Sequence, residues 1–417
     1  MTINRNSTQK PELVAPAGSL DKLELAYRMG ADACYIGSTA FSMRTRQNLV
    51  GKRHIEEAKN IAVNYGKKLF VCINTFPHNG MLKGLRKHIE FLNELKPDAI
   101  VFADPSVLEI VNDIGCDTPL HLSVQTSTAN YLSVRFWQKM GIKRVILARE
   151  LSLKEIVEIQ SEVPEMEFEA FIHGSVCMAY SGRCFLSSVF SGRDANNGMC
   201  AHNCRDKFDV VSATIKNSDY GEQEMVIEED MHGSHIISSR DMCLLPHLDK
   251  LIDAGIDAFK IEGRNKSEYY VAVATRTYRE AIDRAVEGKP YDPMLMKEIS
   301  KTSNRGFFSG FYFPELEEQG EVGTENEIRQ DSIGYFAANI KSVNGESITV
   351  DVKAKITSGD EFVLLSEKLG DEKRLKVAGI TNHRDEAVDV VSSGVSAILH
   401  LESPADKSWK GLLLQKI

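Results

Sequence analysis

The chain has 417 residues, too many for one ordinary domain, so two or three are expected. Its composition, 42% hydrophobic and 26% charged, is that of a soluble globular protein, and no apolar run approaches the length of a membrane span. A net charge of −9 does not advertise nucleic-acid binding, yet a local basic face would suffice for it.

The opening MTINRNSTQKPELVAP lacks the apolar core of a signal peptide. The eight cysteines are therefore expected in a reducing cytoplasm, where thiols bind metals or catalyse rather than form staples. From residue 12 onward, short β-rich runs alternate with amphipathic segments. The runs are Leu13–Ala17, Ala33–Gly37, Leu69–Thr75, Ala99–Ala103, Leu120–Gln125, Arg144–Arg149, Glu167–Ile172 and, much later, Ala258–Glu262. Between them lie helical patterns such as Ser19–Met29, Arg53–Tyr65, Leu82–Leu95, Asn130–Met140 and Ser152–Ser161. Strands alternating with helices imply a parallel sheet with right-handed crossovers, and eight strands close a (β/α) barrel. An open doubly wound sheet is the competing architecture, but no GxGxxG follows the first strand.

A barrel places reacting groups at the carboxyl ends of its strands. Reading those ends gives Arg44 and Arg46, Asn74 and His78, Asp104, Gln125, Arg149 and Glu150, His173, then Glu262 and Arg264. Of these, His173 and Glu262 are the candidate catalytic groups. Arg44, Arg46, Arg149 and Arg264, with Lys266, form a candidate anion-binding set, because a guanidinium fork suits phosphate and carboxylate.

The stretch from Glu169 to Arg205 carries Cys177, Cys184, Cys200 and Cys204. It starts on an apolar run and breaks at His173-Gly174 into backbone rich in Gly, Ser and Asn. Loops can bend several thiolates toward one point, so this pattern points to a soft-metal or cluster site. Cys34, Cys72 and Cys116 instead sit in or beside apolar runs and read as small buried hydrophobes. The stretch belongs to an insertion, about residues 174–257, between the seventh and eighth strands. Within it, β-like runs are expected at 208–213, 224–227 and 236–239, then a helix from Leu244 to Ala254. Cys243, just ahead of that helix, is a fifth candidate ligand, where a helix N-terminus favours thiolate.

After a helix at Tyr269–Val286, the segment SNRGFFSGFYF at 303–313 reads either as an aromatic surface for base stacking or as a packing turn. The segment Pro314–Glu327 holds six glutamates and no basic residue, and so reads as a linker. From Ile333 the pattern is all-β, with Asn344-Gly345 as a hairpin turn. The expected organisation is a catalytic barrel over residues 1–313, an acidic linker over 314–330 and a small β-barrel over 331–417.

Glu169, Phe171, Gly174-Ser175, Cys177, Gly182, Cys184 and Ser187 match the signature of the collagenase-like peptidase family U-32. ELVAPAGSLDKLELAYRMGADACYIG, KIEGRNKSEYY and NRGFFSGF also resemble that family, so the likeness covers most of the chain. Its length and C-terminal β-domain make it most similar to the branch that hydroxylates tRNA. The resemblance implies a 4Fe–4S cluster and oxygen-independent hydroxylation at carbon 5 of the wobble uridine in the tRNA anticodon loop, with prephenate as cosubstrate. On the family pattern the ligands are Cys177, Cys184, Cys200 and Cys243, although spacing alone favours Cys204 over Cys243. A zinc-held scaffold uses the same thiols. A collagenase-like peptidase, or hydroxylation of another RNA such as rRNA, are the competing functions. For the peptidase, the sequence offers neither HExxH nor GxSxG, and a Cys177–His173 pair has no evident orienting acid.

Overall fold

The computed structural model describes residues 10–43, 51–177, 179–180, 184, 186–191, 193, 199–201, 203, 228–230, 233–235, 240–304, 306–313 and 336–417. Arg44, Arg46, Cys204, the β-like runs at 208–213, 224–227 and 236–239, and the acidic linker lie outside the described residues.

Eight parallel strands form the barrel: β1 (Glu12–Pro16), β2 (Ala33–Gly37), β3 (Lys68–Ile73), β4 (Ala99–Phe102), β5 (Leu120–Leu122), β6 (Arg144–Ile146), β7 (Glu167–Ser175) and β8 (Ala258–Ile261). β8 pairs with both β7 and β1, which closes the sheet. Six helices follow the first six strands: α1 (Leu20–Arg28), α2 (Lys52–Asn64), α3 (Leu82–Leu95), α4 (Ser106–Ile114), α5 (Tyr131–Lys139) and α6 (Leu153–Glu162). Side-chain caps start several of them. Ser19 accepts from Lys22 N, Asn130 from Ser133 N, and Ser152 forms a reciprocal box with Glu155. Each cap satisfies an amide that the first helical turn leaves open.

The strands are buried on both faces, as a barrel under helices requires. The interior departs from the usual layers of branched apolar side chains. A string of ions threads it instead. Arg144 Nη1 donates to Glu12 at 2.7 Å and to Glu169 at 3.2 Å, and Nη2 donates to Glu167 at 2.9 Å. Lys260 Nζ donates to the other Glu169 oxygen. Aromatic faces wall these ions: Lys260 lies 4.2 Å from the Tyr35 ring centroid and Arg144 lies 5.6 Å from that of Phe70. Glu169, a signature residue, is thus completely buried between two cations. Burial alone would raise its carboxyl, but Lys260 and Arg144 outweigh that effect and hold it below its ordinary value.

One expected element takes another form. β7 does not stop at Ile172 but runs to Ser175, and its last residues pair antiparallel with a short strand, Asp241–Cys243. Gly174 makes this extension possible. Its φ is +104°, and a Cβ there would lie 2.4 Å from the Glu262 carbonyl oxygen. Cys243 therefore sits opposite His173 on a strand, not at a helix N-terminus. The helix expected from Leu244 begins only after a 3-10 turn, as α7 (Leu248–Asp253).

The C-terminal residues build a second barrel, antiparallel and closed by six strands: Phe336–Asn344, Ser347–Val352, Glu361–Leu364, Lys373–Asn382, Ser396–Leu401 and Leu413–Lys416. Between α7 and this barrel lies the long helix α8 (Glu268–Val286), buried around most of its circumference. Such burial requires neighbours on both sides. Tyr269 stacks on Phe336 with centroids 5.5 Å apart and donates to Gln415 at 3.1 Å. Arg276 bonds Glu298, Glu372 and the Ser366 carbonyl. No helix among the described residues is long and apolar enough to cross a membrane.

Candidate active site at the carboxyl end of the barrel

The carboxyl ends of β2, β6, β7 and β8 converge on a polar mouth. Arg149, just past β6, stands with its guanidinium 3.9 Å from the Phe171 ring centroid. It donates to the Ser175 carbonyl at 3.3 Å and lies 3.7 Å from Glu262. Tyr35 of β2 donates to the Ile261 carbonyl at 3.1 Å, and its oxygen lies 3.4 Å from Glu262. Arg264 donates to Ser42 at 2.7 Å. Both arginines are more than nine-tenths buried.

Buried polar groups are normally satisfied, because an unmade hydrogen bond costs about 1–3 kcal/mol. At this mouth Arg149 Nε, Arg264 Nε, Gln125 Oε1 and Glu150 Oε2 have no hydrogen-bond partner among the described residues. Similar atoms occur elsewhere, such as His121 Nδ1 and Arg276 Nε, but those at the mouth lie at strand ends, where a barrel meets its ligand. Beside the mouth opens a cavity of about 290 Å³, lined by Arg149, Glu150, Val176, Cys177, Ala179, Tyr180 and Phe311.

The sequence candidates divide. Arg149, Glu262 and Arg264 meet at the mouth, as their strand-end positions suggest. His173 is 1% exposed and lies outside the cavity lining. It packs against the rings of Tyr270, Tyr278 and Phe307, and its Nδ1 is 3.3 Å from the Tyr278 hydroxyl. Burial pushes its imidazole down to about 4, so it is neutral at physiological pH. Lys266 is turned toward Ser303, whose carbonyl it reaches at 3.1 Å, and toward Asp241 at 3.9 Å. Tyr180 was not singled out in the sequence, whereas Phe311 lies in the 303–313 segment read there as a stacking surface or a packing turn. Their signal is an aromatic three residues past Cys177 and one within the GFFSGF run.

Of the sulfur donors that a soft metal takes, Cys177 stands on the cavity lining. Cys177 follows β7 and is exposed, while Cys184 and Cys200 are half-buried. Signature residue Ser187 ties the loop. Its hydroxyl accepts from Ala201 N at 3.0 Å and its carbonyl from Arg193 N at 3.0 Å, so the chain beyond Cys184 meets the chain beyond Cys200. Cys243 differs. It is buried, 3.5 Å from the Tyr278 hydroxyl, and burial pushes its thiol up to about 11, the reverse of the helix-terminus expectation. Among the described residues, no three His, Cys, Asp or Glu side chains gather as a metal site. The donor set thus fits a thiolate-held group by kind, but the described residues do not collect it at one point.

The sequence profile of peptidase family U32 matches residues 18–321. The chain belongs to that family. Curated relatives include tRNA hydroxylation protein P of Escherichia coli K12, 36% identical over 396 residues and covering 86% of each chain. The protein of the same name from Haemophilus influenzae is 34% identical over 447 residues, covering 98% of this chain and 96% of the relative. A collagenase of Porphyromonas gingivalis is 31% identical over 316 residues, covering 72% and 73%.

Proposed function

We propose that this U32-family protein is a cytoplasmic tRNA-modifying enzyme that hydroxylates the wobble uridine of the anticodon loop at carbon 5. The observation that carries this reading is the pair of buried arginines, Arg149 and Arg264, whose Nε atoms have no hydrogen-bond partner among the described residues. Two full-length relatives named for tRNA hydroxylation support it. Buried guanidinium donors suit an anionic partner, either the RNA backbone or a carboxylate cosubstrate such as prephenate. An anticodon-loop base is single-stranded, so it can be splayed into a barrel mouth at little unstacking cost.

On this reading Cys177, Cys184, Cys200 and Cys243 hold a 4Fe–4S cluster, with Cys204 as the alternative fourth ligand and zinc as the alternative metal. When bound, the cluster supplies one-electron chemistry that side chains lack. The protein's own part is to bind and orient. Arg149 and Arg264 hold the anion, Phe171 stiffens Arg149 from below, and Tyr35 and Glu262 fix the floor between them.

The peptidase alternative needs an activated nucleophile. Among the described residues no hydrogen bond joins Cys177 to a histidine, and His173 is packed between aromatic rings. The test is nucleoside mass spectrometry of total tRNA from a strain lacking the gene. Loss of 5-hydroxyuridine and its derivatives, restored by the wild-type chain, is the expected result. An unchanged nucleoside profile would refute the reading.

A further inference from the structure

The cavity beside Cys177 has a composition that neither the ion string nor the cysteine loop explains. Two large aromatic side chains stand exposed on its lining, Tyr180 at 64% and Phe311 at 49%. They come from separate segments, Tyr180 from the loop after β7 and Phe311 from the turn after Phe307–Phe308. Exposed aromatics are costly to keep in water, and two lining one small cavity have a common use in stacking on a flat ligand. At about 290 Å³ the cavity sits at the lower edge of small-molecule sites, which suits one base rather than two.

Its polar edge is equally specific. Glu150 Oε2 is a buried acceptor without a partner among the described residues, and Arg149 Nε is a buried donor in the same condition. A uracil edge presents an N3–H donor flanked by two carbonyl acceptors. A carboxylate that takes the N3–H beside a guanidinium that gives to a carbonyl oxygen matches that pattern. Cytosine held in the same register, with its N3 facing the carboxylate, would set acceptor against acceptor.

We infer that Tyr180 and Phe311 form a stacking site for a single flipped pyrimidine, and that Glu150 with Arg149 reads it as uracil. The inference rests on the tRNA reading and adds to it the residues that hold the base. Glu150 and Arg149 here are specificity-determining residues.

The test uses the full-length protein and a fluorescein-labelled RNA stem-loop carrying one loop uridine, compared with the same stem-loop holding cytidine or an abasic residue there. Wild type is expected to bind the uridine form more tightly than either of the others. Tyr180→Ala and Phe311→Ala should each weaken uridine binding by roughly 5- to 150-fold, the range that removing one base-stacking aromatic gives. They should leave abasic binding unchanged, and Tyr180→Phe should restore the wild-type difference. Glu150→Gln should narrow the uridine-to-cytidine ratio without changing abasic binding. Thermal melting checks that these variants fold, which their exposed aromatic positions favour. Alanine variants that keep the full uridine-to-abasic difference would overturn the site, as would a wild type that does not distinguish the three RNAs. The broader reading is judged separately by tRNA mass spectrometry of the complemented strain. If wild type restores the modification while the variants keep the difference, only the pocket fails. If wild type restores nothing, both fail.

Discussion

Glu169→Gln tests whether the ion string holds the barrel. Glu169 is fully buried and shared between Lys260 and Arg144. Removing one member of a buried ion pair costs about 3–5 kcal/mol, because the other charge is left uncompensated. The cost here should fall on Lys260. Arg144 keeps Glu12 and Glu167, whereas Lys260, among the described residues, keeps the Tyr35 and Phe171 faces, at 4.2 and 5.7 Å. We therefore expect a loss near the lower end, about 3 kcal/mol, or a fall in Tm of roughly 6–12 °C for a domain of this size. Scanning calorimetry and urea unfolding measure it. Adding Lys260→Met should recover most of the loss, since removing both partners leaves no orphaned charge. A single mutant that melts within about 2 °C of wild type, or a double mutant no better than the single, would refute the argument.

Gly174→Ala should cost more than Gly66→Ala. Both have positive φ, worth roughly 1–2 kcal/mol against alanine, but only at Gly174 does the added Cβ meet a carbonyl oxygen at 2.4 Å. Paired urea unfolding curves check the difference, and equal losses would show that the close approach relaxes. His88 is buried, and burial together with Lys52 pushes it down to about 4. The unfolded chain takes up that proton first, near pH 6.5, so stability present above that pH should fall by roughly 3 kcal/mol as pH drops toward 4. His88→Gln should flatten that part of the stability curve, and a curve unchanged by the substitution counts against the assignment. Among the cysteines, Ser replacements at 177, 184, 200 and 243 should each lower iron and sulfide per chain in anaerobically purified protein, while Cys204→Ser should not. The opposite result for 204 and 243 would move the fourth ligand. Arg264→Met removes a buried group whose Nε has no partner among the described residues and whose Nη1 donates to Ser42, so it should abolish tRNA hydroxylation at a cost of about 1–3 kcal/mol, that of one orphaned hydroxyl. A collapse in Tm would make Arg264 a structural group.

The barrel was legible because its strands are short apolar runs at regular spacing, and observed and expected boundaries agree within a few residues. Ala33–Gly37 and Leu82–Leu95 coincide with their elements outright. The extension of β7 was not legible, since His173-Gly174-Ser175 carries the composition of a loop. What turns it into strand is the distant partner Asp241–Cys243, which no local pattern reveals. The same pairing takes Cys243 away from a helix terminus and into the core, so a local electrostatic argument about its thiol failed. Lys266 was misjudged for a similar reason: its position after β8 is right for the mouth, but its side chain turns back to Ser303.

The contrast between the two ends of the barrel interior locates the function better than any single motif. In the lower half every charge has its complement: Glu12, Glu167 and Glu169 answer Arg144 and Lys260. At the mouth Arg149 and Arg264 are comparably buried, yet their Nε atoms, with Oε1 of half-buried Gln125 and Oε2 of half-buried Glu150, go unmatched among the described residues. A chain able to satisfy Glu12, Arg144, Glu169 and Lys260 inside a barrel has no chemical obstacle to satisfying four more atoms a few residues further on. At about 1–3 kcal/mol each, unmade bonds on that scale rival the whole net stability of a typical domain. On the proposed reading, a bound nucleotide completes them. The guanidinium donors call for oxygen anions, the carboxylate calls for an N–H, and the aromatics beside them call for a flat ring. A nucleotide carries all three.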